Sequence, residues 1–79
     1  RYDIVVAGTL AKFRRHPDLA DVLRRTGSKI LVEASPTDRI WGIGLSADHE
    51  DATDPERWRG LNLLGFALMD VREELFRLT

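Results

Sequence analysis

NLLGFALMDVREELFRLT, residues 62–79, is the stretch that decides the fold. Leu64, Leu68, Val71, Leu75 and Leu78 follow one another at intervals of four, three, four and three, which puts them in one stripe along a helix. Phe66 and Met69 widen the stripe, while Asp70, Glu73, Glu74 and Arg77 take the wet side. Asn62 is a residue type that caps helix N-termini, so the spacing predicts a long helix from Asn62 onward. Gly65 inside that helix costs roughly 1 kcal/mol against alanine. Something must therefore approach its backbone closely, and a second packed helix is the simplest neighbour.

Upstream, Ile4 to Phe13 repeats the helical pattern with Ile4, Ala7, Gly8 and Ala11, joined by Val6, Leu10 and Phe13, and Asp3 stands where a cap would. His16-Pro17-Asp18 interrupts it, because the residue before a proline is pushed out of the α region and Pro17 suits the first turn of a new helix. Leu19, Val22 and Leu23 continue that second helix, and Gly27 sits where a left-handed C-cap would end it. Between the helices, KILVEA at Lys29–Ala34 is a β-favouring run bounded by Gly27-Ser28 and Ser35-Pro36, and WGIGL at Trp41–Leu45 can form a second extended piece. With residues 35–40 as the connection, the two predict a small hairpin. Residues 46–56, rich in Asp and Glu and lacking an apolar period, read as a solvated loop. The fold expected is mainly α with a small β-hairpin.

Seventy-nine residues make one small domain or a piece of one, since single cores usually take about 100–150. A 43% hydrophobic and 32% charged composition argues against disorder, and the longest uncharged run, Leu61–Met69, is too short to cross a bilayer. Twelve basic residues against 13 acidic ones leave no basic field of the kind that holds phosphate backbones, which argues against a dedicated nucleic-acid module. The absence of cysteine removes disulfides and thiolate metal sites, and with no signal-peptide pattern a cytoplasmic setting is expected. The sequence opens on Arg1 rather than Met, so it is expected to be the trailing part of something longer.

Two strings could carry chemistry. In DRIWGIG, Asp38–Gly44, an indole can stack on a base, glycines admit backbone amides to an anion, and a carboxylate can stabilise a developing cation. The same residues also suit a turn in which Trp41 plugs the core and Asp38 caps a loop. WRGLN, Trp58–Asn62, precedes the long helix, where an anion could sit on the helix N-terminus, or where Trp58 and Asn62 are only a lid and a cap. His16 and His49 lie apart and build no metal site.

Together, A-K-F at 11–13, L-V-E-A-S at 31–35, D-x-x-W-G-x-G at 38–44 and W-x-G-x-N-x-L-G-x-x-L-M-x-V-R at 58–72 resemble the YbiA-like, or NADAR, family over nearly the whole chain. The resemblance implies hydrolysis of N-glycosidic bonds in phosphorylated N-ribosides, either ribosylamine intermediates of riboflavin biosynthesis or ADP-ribosylated guanine bases. It implies no cofactor, and no nucleic-acid partner unless the substrate is an ADP-ribosylated base. By motif match it assigns the catalytic carboxylate to Asp38 and substrate contacts to Trp41, Gly42, Gly44, Trp58 and Asn62. Family domains are about twice this length and carry a glutamate and a lysine near an S-E-H-x-F-x-A-x-K-like string that this chain lacks. Residues 1–79 are therefore expected to be the C-terminal half of a single NADAR-like domain, completed upstream or by a second chain. A module that binds ADP-ribose or a related nucleotide without turnover is the alternative.

Overall fold

The computed structural model describes residues 1–77, which form three α-helices: α1 (Tyr2–Arg15), α2 (Pro17–Arg25) and α3 (Leu63–Phe76). Two short 3-10 turns, Glu50–Thr53 and Pro55–Arg57, lie between α2 and α3, and no strand occurs among the described residues. None of these helices is long and apolar enough to cross a membrane. The chain divides into two compact units, one of Arg1–Ile30 with Ala67–Thr79 and one of Leu31–Phe66.

In the first unit the expected break is present: His16 leaves the helical region (φ −129°, ψ 82°) and Pro17 opens α2. Gly27 takes the left-handed conformation (φ 60°) just past α2, and its N–H donates to the Arg24 carbonyl at 3.1 Å. Asp3 does not cap α1. The helix already starts at Tyr2, so Asp3 falls within the first turn, where its charge favours the positive end of the helix dipole. Of the predicted stripe of α3, Val71 is buried beside Ala67, and Leu64, Leu68 and Leu75 are half-buried; Phe66, expected to widen the stripe, instead points to solvent at 45% exposure, and Leu78 lies outside the described residues. α1, by contrast, buries no residue, and Ile4 is 75% exposed. Arg72 ties α3 to the end of α2: one guanidinium nitrogen donates to Thr26 Oγ1 (2.7 Å) and the other to the Lys29 carbonyl (2.9 Å). The Tyr2 hydroxyl donates to Asp70. Loss of solvent around the ring, followed by that hydrogen bond and the carboxylate's charge, pushes the phenol up to about 12.

The second unit packs around Ile43, Leu45 and Ala52, with Trp58 against them. Here the expected hairpin is absent. Neither Lys29–Ala34 nor Trp41–Leu45 forms a strand, and a single main-chain bond, Ile43 N–H to the Glu33 carbonyl (2.9 Å), joins the two runs among the described residues. The physical reason is a side chain. Asn62 Nδ2 donates to the Leu31 carbonyl (3.0 Å) and its Oδ1 accepts from Glu33 N–H (2.9 Å), so one amide occupies the two peptide groups flanking Val32 that a neighbouring strand would use. The WGIG backbone instead pairs with the segment leading into α3. Arg59 N–H reaches the Ile43 carbonyl (2.8 Å), Leu61 N–H that of Arg39 (2.9 Å), and Asn62 N–H that of Gly42 (2.9 Å). Nor is the acidic stretch structureless, because His49 Nδ1 and Asp54 Oδ1 accept from Asp51 and Glu56 N–H and close the two 3-10 turns, which bury Ala52.

Candidate functional site

Asp38 organises the loop that bears it. Its Oδ1 accepts from Trp41 N–H (2.8 Å) and Ile40 N–H (3.0 Å), and its own N–H donates to Ser35 Oγ (3.2 Å). The Trp41, Ile40 and then Gly42 amides hold the Asp38 carboxyl below the usual carboxylate range, so the group is anionic at neutral pH. Trp41, three residues on, is half-buried, and its carbonyl accepts from Leu64 N–H (3.0 Å). An ionised carboxylate and a partly exposed indole on one fixed loop are suited to a cationic or ring-shaped ligand.

Gly42 and Gly44 are both buried. A Cβ on Gly42 would stand 2.9 Å from the carbonyl oxygens of both Glu33 and Asp38, and Gly44 lies in the left-handed region (φ 73°). Gly60 is the tightest contact of the loop, because a Cβ there would be 2.3 Å from the Gly42 carbonyl. Trp58 packs its ring on the core and donates Nε1–H to the Ala52 carbonyl (2.9 Å). Asn62 is fully buried, with φ at 55° and both amide atoms engaged on Leu31 and Glu33. Its side chain is thus a strut rather than the expected helix cap, although its carbonyl does accept the first bond of α3, from Phe66 N–H (3.1 Å).

At the start of α3 one of two alternatives falls away and one expectation changes. Leu63 and Leu64 N–H donate to the Ile40 and Trp41 carbonyls (3.2 and 3.0 Å), so these amides are not open to an anion. The close neighbour of Gly65 is not another helix but the Leu31 carbonyl and the Asn62 amide, which would lie 2.2 Å and 2.5–2.6 Å from a Cβ. Asp48 accepts from Ser46 Oγ (2.7 Å), and among the described residues no group of three His, Asp or Glu side chains could hold a metal ion.

Asp38, Trp41, Gly42, Gly44, Trp58 and Asn62 all belong to the Leu31–Phe66 unit. Glu33 joins them. Its N–H meets Asn62 Oδ1, its carbonyl accepts from Ile43 and Ser35 N–H (2.9 and 3.0 Å), and its side chain is exposed. Sequence reasoning passed over it as part of a strand; the available signal was a charged residue inside the apolar run L-V-E-A.

Comparison with known proteins places the chain. It is 50% identical over 74 residues to an N-glycosidase of Acanthamoeba polyphaga mimivirus, covering 94% of this chain and 44% of that protein. It is 43% identical over 72 residues to an N-glycosidase of Nostoc punctiforme (91% of this chain, 39% of that protein). It is 35% identical over 75 residues to a chloroplastic riboflavin biosynthesis protein, PYRR, of Zea mays (95% and 10%). The chain therefore spans less than half the length of these relatives. No solved structure matches it. The NADAR domain profile matches residues 1–76, nearly all of the sequence, and the chain belongs to the NADAR family.

Proposed function

We propose that this chain forms part of an N-glycosidase that hydrolyses the C1′–N bond of N-ribosides carrying phosphate. The observation that carries the reading is the Asp38 loop: a carboxylate kept anionic by the amides of Trp41, Ile40 and Gly42, on the loop that also presents Trp41. Breaking a C1′–N bond builds oxocarbenium character at the sugar, and a fixed anion stabilises that charge without having to reorganise. Asp38 supplies the anion, Trp41 stacks on the base or ribose, Gly42 and Gly44 shape the loop, and Trp58 and Asn62 hold it from behind. Support comes from the relatives named N-glycosidase, and the relative named for riboflavin biosynthesis favours ribosylamine intermediates as the substrate class. The family's glutamate and lysine, supplied by the remainder of the domain, complete the acid/base and sugar-positioning groups. That α1 buries no side chain supports such a completing segment.

The test is base release from phosphorylated ribosylamine intermediates and from ADP-ribosylated guanine by the complete domain. Activity on either is expected, and Asp38→Asn should lower kcat by about 10² with little change in melting temperature, since one carboxamide oxygen still accepts the loop amides. Trp41→Phe should keep part of the affinity that Trp41→Ala loses. A complete domain that binds ADP-ribose but releases no base from either substrate overturns hydrolysis and leaves a binding module.

A further inference from the structure

We infer that Glu33 is the carboxylate that takes the proton from the attacking water, an inference that rests on the N-glycosidase reading above. Glu33 is held at its N–H by Asn62 Oδ1 (2.9 Å) and at its carbonyl by Ile43 N–H (2.9 Å) and Ser35 N–H (3.0 Å). The strut that holds it is unusual, because Asn62 is completely buried, sits in the left-handed region and spends both amide atoms on Leu31 and Glu33. The Glu33 side chain, by contrast, is exposed and has no hydrogen-bond or ion-pair partner among the described residues. A rigid main chain beneath an uncommitted carboxylate is what a reacting group requires, since sub-ångström positioning carries much of its effect.

The place is also right. The main-chain carbonyls of Glu33 and Asp38 both converge on Gly42, each 2.9 Å from where a Cβ would be. Glu33 and Asp38 thus brace one loop through their main chains, and with the acid supplied by the remainder of the domain they provide carboxylates about one scissile bond, as glycoside hydrolysis requires. Their surroundings divide the work: the Asp38 carboxylate is taken up by the Trp41 and Ile40 amides, whereas that of Glu33 has no partner among the described residues and is open to a water. In the step, the C1′–N bond breaks with its electron pair on nitrogen, the water oxygen bonds to C1′, and the proton that this oxygen loses passes to the Glu33 carboxylate and then to solvent. The departing nitrogen takes its proton from an acidic group outside this chain or from solvent.

The complete domain is assayed on a phosphorylated ribosylamine substrate with Glu33→Gln and Glu33→Ala. Glu33→Gln should lower kcat by about 10²–10³, leave KM within about threefold and leave the melting temperature unchanged. Added formate, a mobile carboxylate, should restore part of the rate to Glu33→Ala and none to Asp38→Asn. Wild-type kcat in Glu33→Gln, a raised KM with unchanged kcat, a lowered melting temperature, or no rescue by formate would each overturn the role while leaving the N-glycosidase reading intact. A wild-type domain that releases no base would instead remove that reading, and this inference with it.

Discussion

Two glycines lie inside helices of this chain, and their substitution by alanine should move stability in opposite directions. Gly8 in α1 has no atom within 4 Å of a built Cβ, so Gly8→Ala collects only the helical preference of alanine and should stabilise by up to about 1 kcal/mol. At Gly65 the same Cβ would meet the Leu31 carbonyl at 2.2 Å and the two polar atoms of Asn62 at 2.5 and 2.6 Å, whereas ordinary contacts lie at 3.4–4 Å. Neither neighbour can yield cheaply. The first is backbone, and the second is a fully buried side chain bonded at both ends. Displacing the Asn62 amide leaves the Leu31 carbonyl and Glu33 N–H without partners, at about 1–3 kcal/mol each. Set against the propensity gain of about 1 kcal/mol, Gly65→Ala should lose about 1–5 kcal/mol. Urea denaturation of the complete domain measures both variants, with the midpoint shifting at constant slope. If Gly65→Ala matched or exceeded wild type, as Gly8→Ala should, the amide strut over α3 would be refuted.

Stability should fall in acid partly through Asp38. Its folded pKa is depressed, so its contribution is present above the ordinary carboxylate value and is lost as pH falls through the folded value; below about pH 4 the melting temperature of Asp38→Asn should therefore fall less steeply than that of wild type, and parallel curves would count against the amide cage. Trp58→Ala should cost roughly 3–5 kcal/mol by emptying part of the core, and Trp58→Phe about 1–2 kcal/mol by leaving the Ala52 carbonyl unpaired, with KM unchanged in the folded fraction; a raised KM at full stability would make Trp58 a substrate contact. The difference between the ultraviolet titrations of wild type and Tyr2→Phe reads Tyr2: its midpoint should lie at about 12 and drop in Asp70→Asn, and a midpoint near 10 in wild type would remove the Tyr2–Asp70 pairing. Because the folded phenol is raised, its stabilising effect is complete below pH 10 and is lost as pH climbs through about 12.

The helices were legible because their signals are local. Pro17 marks a boundary wherever it occurs, Gly27 announces a left-handed end, and a stripe at spacings of three and four is a property of α3 alone. The middle of the chain was misread because its organiser is a side chain about thirty residues away from what it holds. KILVEA has the composition of a strand, but nothing in it reveals that Asn62 takes the place of the neighbouring strand. The sequence offers Asn62 as a cap and Gly65 as the contact point of a second helix, whereas the pair works as one unit in which the glycine's bare Cα makes room for the amide. At the candidate site the family motifs marked Asp38 and Trp41, while Glu33, though inside the motif L-V-E-A-S, received no role because its distinction lies in the bonds to its main chain.

The hydrogen bonds around that asparagine close on themselves. Glu33 N–H donates to Asn62 Oδ1, Asn62 N–H to the Gly42 carbonyl, and Ile43 N–H, from the residue after Gly42, returns to the Glu33 carbonyl; Arg59 N–H hangs on the Ile43 carbonyl beside them. A helix or a hairpin has a last rung from which it frays, but a closed circuit has none. Local openings that would release one of these amides must strain the others, so Glu33, Ile43, Arg59 and Asn62 should exchange hydrogen with solvent at one common free energy, as a single cooperative unit. The loop that presents Asp38 and Trp41 is then either wholly assembled or wholly undone, and a partly formed site is not among its accessible states.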